Sequence, residues 1–437
     1  MSLPKPDILQ NVGIMPTNQS TSVTTSILDP VVHTTSMCRF VLENKGRLHG
    51  NSKITLGVSA STEKAFFPPN IGVHSLISRA SLKFGAKTIS DTADFNHFFA
   101  YRSCFTPNEQ NFERNSITNG TLVDYKIVEA ALSDFDGTIG LNTGRSYKAT
   151  DGTTIESYND LRNTPTYQIR LVDLFPFLGQ IQLPLYLMRE QVSIELYFET
   201  GANKRFCFPK GGTDPVSVTI DTEETKLVAD YIYYPQQVMD NYETQIRSKG
   251  LTIPFLEYAL VKTSVAKDAS NNITLIRNVG GANRIVSKVV VTNANPAFSK
   301  ETLYNEYGSD CGASFELNLK YNDRFLYPRP ITNFGHAFNQ VHNAEGMPLF
   351  VTAAEYSEQQ KDLMTAAKFE GYAMNDISDR QRRTYFAIKL DGSRVNSAGI
   401  ELHLKMTGQN ANLVSRVYLE QACVLTLQDG KMTKTYA

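Results

Sequence analysis

Within KFGAKTISDTADFNHFFAYRS (83–103), Asp91, Asp94 and His97 fall three residues apart, and Arg102 follows closely. On a helix that spacing places side chains on one face, where a carboxylate can orient an imidazole as a general base. A second stretch, LKYNDRFLYPRPITNFGHAFNQ, repeats the pattern with His336 between its own phenylalanines, but Asp94 becomes Asn333 and Asp91 has no acidic counterpart. A catalytic base has no use for a duplicate stripped of its acids, whereas a packing position does. The pattern therefore reads as an aromatic-flanked histidine at a strand-to-helix corner.

Other candidate chemistry is thinner. His33, His49, His74, His342 and His403 show neither H-x-H nor H-x-x-x-H spacing, and none is grouped with a cysteine, which speaks against a metal site. No G-x-S-x-G elbow and no G-x-x-x-x-G-K-[ST] phosphate loop occurs. Asp221, Glu223 and Glu224 offer carboxylates for glycoside cleavage, yet they sit in a polar loop, and the chain has no tryptophan to stack on a sugar. Arg380, Arg382 and Arg383 form the densest basic patch and read as a solvated or interface surface. The sequence thus assigns no catalytic residue, no cofactor and no metal, and the expectation is a protein that is not an enzyme.

The elements that carry these residues are mostly strands. Period-2 alternation in short runs bounded by Gly, Pro, Asn and Asp predicts antiparallel strands at CRFVLEN (38–44), KITLGVS (53–59), RASLKFG (79–85), QVSIELYFE (191–199) and KLVADYIYY (226–234). The same signal recurs at SKVVVTN (287–293), SFELNLKYN (314–322), TYFAIKL (384–390), GIELHLKM (399–406) and SRVYLEQACVLTL (415–427). Helical stretches are few: 94–101, 171–178 and 353–368. Strands and helices do not alternate regularly, so a doubly wound sheet is disfavoured.

Three landmarks recur in the same order, which marks a duplication. Leu82-Lys83-Phe84 and the following Asp94 to Phe99 match Leu319-Lys320-Tyr321 and Asn333 to Phe338. Ser193 to Phe198 match Gly399 to Leu404, and Leu227 to Tyr233 match Leu413 to Leu419. A repeated unit of about 190 residues with roughly eight strands predicts an all-β chain of two tandem sandwiches, divided near the polar stretch 235–250. The Ser/Thr-dense residues before Met37 are too polar to fold alone and predict a flexible arm. The long connection 137–165 predicts projecting loops.

With 437 residues, 41% hydrophobic and 20% charged, the chain is an ordinary globular one. Its net charge of -1, without a block of Lys and Arg, argues against sequence-specific nucleic acid as a ligand. Five scattered cysteines and an amino terminus without a basic and then apolar segment predict free thiols and folding in the cytosol or nucleus. On that route the sequons at Asn18, Asn119 and Asn272 read as chance matches. No apolar run is long enough to span a membrane.

One stretch carries a family likeness. Phe40 to Gly46, Leu48-His49, Ser52 to Ile54, Phe66-Phe67-Pro68, Asn70 to Val73, Leu76-Ile77, Lys87 to Ser90, Asp94-Phe95 and Tyr101 to Ser103 resemble the amino-terminal half of double jelly-roll major capsid proteins. The likeness is nearest to polinton-like viruses and related small DNA viruses of protists, in the lineage of virophages and nucleocytoplasmic large DNA viruses. It runs over residues 38 to 120 in sequence and rests on architecture beyond. It implies two tandem eight-stranded jelly rolls with short helical insertions: an arm over 1–35, a first domain over 36–240 and a second over 241–437. It also implies a homotrimeric capsomer of pseudo-hexagonal outline tiling an icosahedral shell, found in the virion. Penton and minor capsid proteins are the implied partners, and an internal membrane beneath the shell is left open. A minor or penton-adjacent capsid role, a sugar-binding or sugar-cleaving β-sandwich and a receptor-binding spike are the alternatives.

Overall fold

In a computed structural model, the chain is described over residues 21–60, 71–103, 118–119, 139–140, 144–145, 147–148, 154–155, 166–179, 181–199, 218–294, 309, 311–346, 385–409 and 411–437. The first sandwich is built from β1 (Ser22–Leu28), β2 (Met37–Val41), β3 (Lys53–Ala60), β4 (Ile77–Phe84), β5 (Lys87–Ala93), β6 (Thr166–Arg170), β7 (Val192–Phe198) and β8 (Val218–Tyr233). The second is built from β9 (Leu251–Val265), β10 (Ile273–Gly280), β11 (Val286–Ala294), β12 (Ser314–Tyr321), β13 (Arg324–Phe325), β14 (Phe386–Lys389), β15 (Ile400–Thr407) and β16 (Leu413–Gln428). A last strand, β17 (Lys431–Tyr436), folds back on β16.

Both sandwiches have one topology. The first orders its strands β1-β8-β3-β6 in one sheet and β2-β7-β4-β5 in the other; the second orders them β9-β16-β11-β14 and β10-β15-β12-β13. Every strand n of the first therefore has strand n+8 as its counterpart, which is the double jelly roll. The alternation that marked the strands is a burial pattern: on β15, Ile400, Leu402, Leu404 and Met406 turn inward while Glu401, His403 and Lys405 turn out. All ten runs read from sequence lie on strands, and each repeat landmark falls on equivalent elements: β4 with β12, β7 with β15, β8 with β16.

Among the described residues, three helices longer than two turns insert between strands: α1 (Phe95–Ser103) after β5, α2 (Gln236–Lys249) between the sandwiches, and α3 (Phe334–Glu345) after β13. α1 and α3 occupy the same place in the two repeats. The expected helix over 171–178 is a single turn, Leu171–Leu174, followed by a 3₁₀ turn, Pro176–Gly179. The stretch 353–368 and the arginines 380, 382 and 383 lie outside the described residues. Of the connection 137–165, only two short antiparallel ladders are described, Ile139–Gly140 with Gly144–Arg145 and Tyr147–Lys148 with Thr154–Ile155.

Two expectations change. The arm over 1–35 does not run to the first folded strand, because Ser22–Leu28 is an edge strand of the first sandwich, paired with β8 from Ser22↔Tyr233 to Leu28↔Leu227. Its outward residues Val23 and Ile27 are exposed, so the usual contrast between a dry and a wet face is missing. The polar stretch 235–250 is a helix rather than an open linker, anchored by buried Tyr242 and Ile246 and ended at Gly250, whose φ of +72° closes the turn into β9.

Candidate functional site

The sequence cluster at 91–102 comes apart in the fold, and its parts serve a joint between the sandwiches. Asp91 stays within its own sheet, accepting from Arg79 Nε and Nη2 at 2.7 and 2.8 Å and from Ser81 Oγ at 2.5 Å. Asp94, at the start of α1, instead faces the second sandwich: its Oδ2 lies 2.7 Å from Lys262 Nζ on β9 and 2.6 Å from Arg416 Nε on β16. Its main-chain carbonyl accepts from the Tyr418 hydroxyl at 3.0 Å. Burial pushes the Asp94 carboxyl up, but hydrogen bonds and charge from Lys262 and Arg416 outweigh it and hold the group below the usual carboxylate range.

The apolar half of the joint comes from the next turn of the same helix. Phe98 and Tyr101 belong to the core of the second sandwich rather than the first. The Phe98 ring lies 4.3 Å from that of Tyr258 and 5.1 Å from that of Tyr418, and Tyr101 meets Tyr385 edge-on at 5.5 Å. The Tyr101 hydroxyl donates to Glu345, which with Glu420 flanks the buried Lys288 ammonium at 2.8 and 3.2 Å. Outward positions on a sheet normally face water, yet Arg416, Tyr418 and Glu420 of β16 are all buried: Asp94 and Phe98 meet the first two, and Tyr258, Ser287 and Lys288 meet the third.

The tie also runs the other way. Leu251, Ile253 and Phe255 at the start of β9, Cys423, Leu425 and Leu427 at the end of β16, and Met432 on β17 all pack in the core of the first sandwich. Phe255 sits 5.0 Å from Phe177. At the β16–β17 turn, Asp429 and Gly430 have φ of 49° and 69°, as Asp-Gly hairpin turns require, and Gly430 O accepts from Arg189 N–H at 3.0 Å. A Cβ on Gly430 would fall 2.9 Å from Leu187 O, so only glycine permits this approach.

The remaining candidates are dispersed. His97 is buried on α1 while its counterpart His336 is exposed on α3, beside Gln340, so the two do not share one packing role. His74 is fully buried, stacked on Phe99 at 3.8 Å, donates Nδ1–H to Ile71 O at 3.2 Å, and is pushed down to about 4 by burial. Arg102 donates to Asp173 O at 3.1 Å. Asp221, Glu223 and Glu224 lie where the β8 ladder with β3 slips between Asp221 and Lys226, with the Asp221 carboxylate capping the Glu223 N–H at 2.8 Å. His403 pairs with Glu401 on the outer face of β15, and no group of three or more metal-ligating side chains occurs among the described residues. What the fold brings together is Asp94, Phe98 and Tyr101 with Lys262, Arg416, Tyr258 and Tyr418. That set is suited to holding two bodies in fixed register.

No protein-family model matches the chain, and no curated protein matches it. Solved structures do. A chain of the Sputnik virophage superposes with a TM-score of 0.62 at 10% identity, over 100% of this chain and 93% of that one. VP54 of PBCV-1, fitted into a reconstruction of Sputnik, gives 0.55 at 11% identity over 97% and 98%. The mavirus major capsid protein gives 0.51 at 10% identity over 100% and 95%. Likeness at this identity and coverage shows the fold: a full-length double jelly roll.

Proposed function

We propose that this chain is a structural capsid protein, the major shell subunit of a small icosahedral DNA virus. One observation carries the reading: a single topology occurs twice in one chain, and the two copies are locked at a fixed joint. Three such chains present six similar bodies, which lets one trimer sit where six neighbours meet. The full-length likeness to capsid chains of Sputnik, PBCV-1 and mavirus supports the same reading.

The working surfaces are then contacts rather than a catalytic centre, and the protein acts without cofactor or metal. Large contacts within the trimer and repeated weaker ones between trimers add up across the shell. In this reading the first jelly roll ends near residue 240 and the second follows from 241. The segment ahead of β1 ties neighbouring capsomers, penton and minor capsid proteins complete the shell, and the virion is its location. Size-exclusion chromatography with light scattering tests the reading. A species about three times 48.8 kDa, with a hexagonal outline by electron microscopy, is expected; a monomer with measurable glycan affinity overturns it.

A further inference from the structure

The joint inside the chain has a counterpart that is only half filled. In the second sandwich, the outer face of β9 and β16 presents Lys262, paired in register with Arg416, and α1 of the first sandwich covers it. The same register on β1 and β8 pairs Thr25 with Asp230, and Thr25 Oγ1 donates to Asp230 Oδ1 at 2.7 Å. Here, among the described residues, the β1 edge of the face is exposed, with Val23 at 60% and Ile27 at 67%, although Ile232 of β8, in register with Val23, is buried; Leu260, the counterpart of Val23, is partly buried at the joint.

The covering element has a twin as well. α3 begins at Phe334 as α1 begins at Phe95, with Asn333 in the place of Asp94. Asn333 Oδ1 is occupied as the helix cap, accepting from His336 N–H at 3.2 Å, which turns its amide nitrogen into the group on offer. Its neighbour His336 is exposed although the equivalent His97 is buried. The geometry points to this pairing: the start of α3 of one chain docks on the β1–β8 face of a second copy of the same chain, with Asn333 set against Asp230 and Thr25.

The chemistry matches after an exchange of roles. At the joint within the chain, the helix brings a carboxylate and the sheet brings two cations. At the proposed joint the sheet brings the carboxylate and the helix an amide donor. An aspartate at 333 would set two carboxylates together, so the loss of the acid between repeats, which made 94 look unlike 333, is what the contact requires. Because the helix of one sandwich meets the sheet of the next, the contact is head to tail, the kind that forms a ring when its rotation closes.

This inference rests on the trimer reading, and its test separates the two. Full-length Asn333→Asp and Asp230→Arg are compared with the double variant for trimer dissociation on dilution. Each single change is expected to weaken the trimer by about tenfold or more, and the double variant, which rebuilds the Asp94–Arg416 arrangement between chains, to recover most of the loss. In parallel, Thr25→Cys/Asn333→Cys is expected to give disulfide-linked species of two and three chains on mild oxidation, with the parent protein giving none. A trimer that is indifferent to both charges and does not cross-link overturns the assignment of this face while leaving the trimer intact. Cross-linking of each chain only to itself overturns it too, and identifies the face as covered from within. A protein that is monomeric throughout overturns both readings.

Discussion

Asp94 and Arg416 are 322 residues apart in sequence and 2.6 Å apart in space, the carboxylate on the first sandwich and the guanidinium on the second. Arg416 is nearly buried and Asp94 only a fifth exposed, so this is a contact formed largely out of water. Its geometry fixes where α1 starts, and the helix then delivers Phe98 and Tyr101 one and two turns later.

Removing the acid leaves a guanidinium with little access to water. Asp94→Ala is expected to cost about 3 kcal/mol, less whatever Lys262 and relaxation recover. Urea unfolding checks it, and a double-mutant cycle with Arg416→Ala should return a coupling of about 1 kcal/mol or more. A coupling near zero would mean that the sandwiches are held by apolar contacts alone.

Phe98 contributes an apolar contact. Phe98→Ala removes a fully buried ring from between Tyr258 and Tyr418 and is expected to cost about 3–5 kcal/mol. Differential scanning calorimetry is then expected to show two transitions for the variant and one for the parent protein.

His74 sets a pH dependence. In the fold it stays neutral down to about pH 4, whereas the unfolded chain takes its proton near 6.5. The unfolded state therefore binds more protons between those values. The stabilisation is full above pH 6.5 and declines as pH falls toward 4, by about 3 kcal/mol when complete. His74→Phe keeps the stacking on Phe99 and should flatten the melting temperature across that window. An unchanged slope would place the acid sensitivity elsewhere.

Gly430→Ala is expected to cost about 1–3 kcal/mol, because its backbone is left-handed and the added methyl meets Leu187 O. Susceptibility of the 428–431 turn to protease measures the lifted hairpin. Gly392→Ala, with φ of +77° but nothing near a Cβ, separates backbone strain from the clash.

The sandwiches were legible in sequence wherever burial alternates between the two sheet faces, as on β2 and β15, and the duplication was legible because equivalent core positions keep similar side chains. β1 was not, since Val23, Thr25 and Ile27 alternate with Thr24, Ser26 and Leu28 and give no contrast. β9 was hidden by Pro254, which an edge strand tolerates because no ladder partner needs its missing N–H. The joint could not be read at all. Asp94, Lys262 and Arg416 come from three distant segments, and the repeat comparison set Asp94 against Asn333, not against the cations that hold it. The same comparison pointed to architecture, but it gave His97 and His336 one role where the fold gives them two environments.

The first core is closed by side chains from the far end of the chain: Cys423, Leu425, Leu427 and Met432 fill it alongside Phe40, Ile54 and Leu82. During synthesis, most of the first sandwich leaves the ribosome long before those residues exist, so it must wait with apolar surface uncovered for roughly ten to forty seconds at ordinary elongation rates. The lobe made first is thus finished last, and a chain arrested before residue 423 is the form most in need of a chaperone.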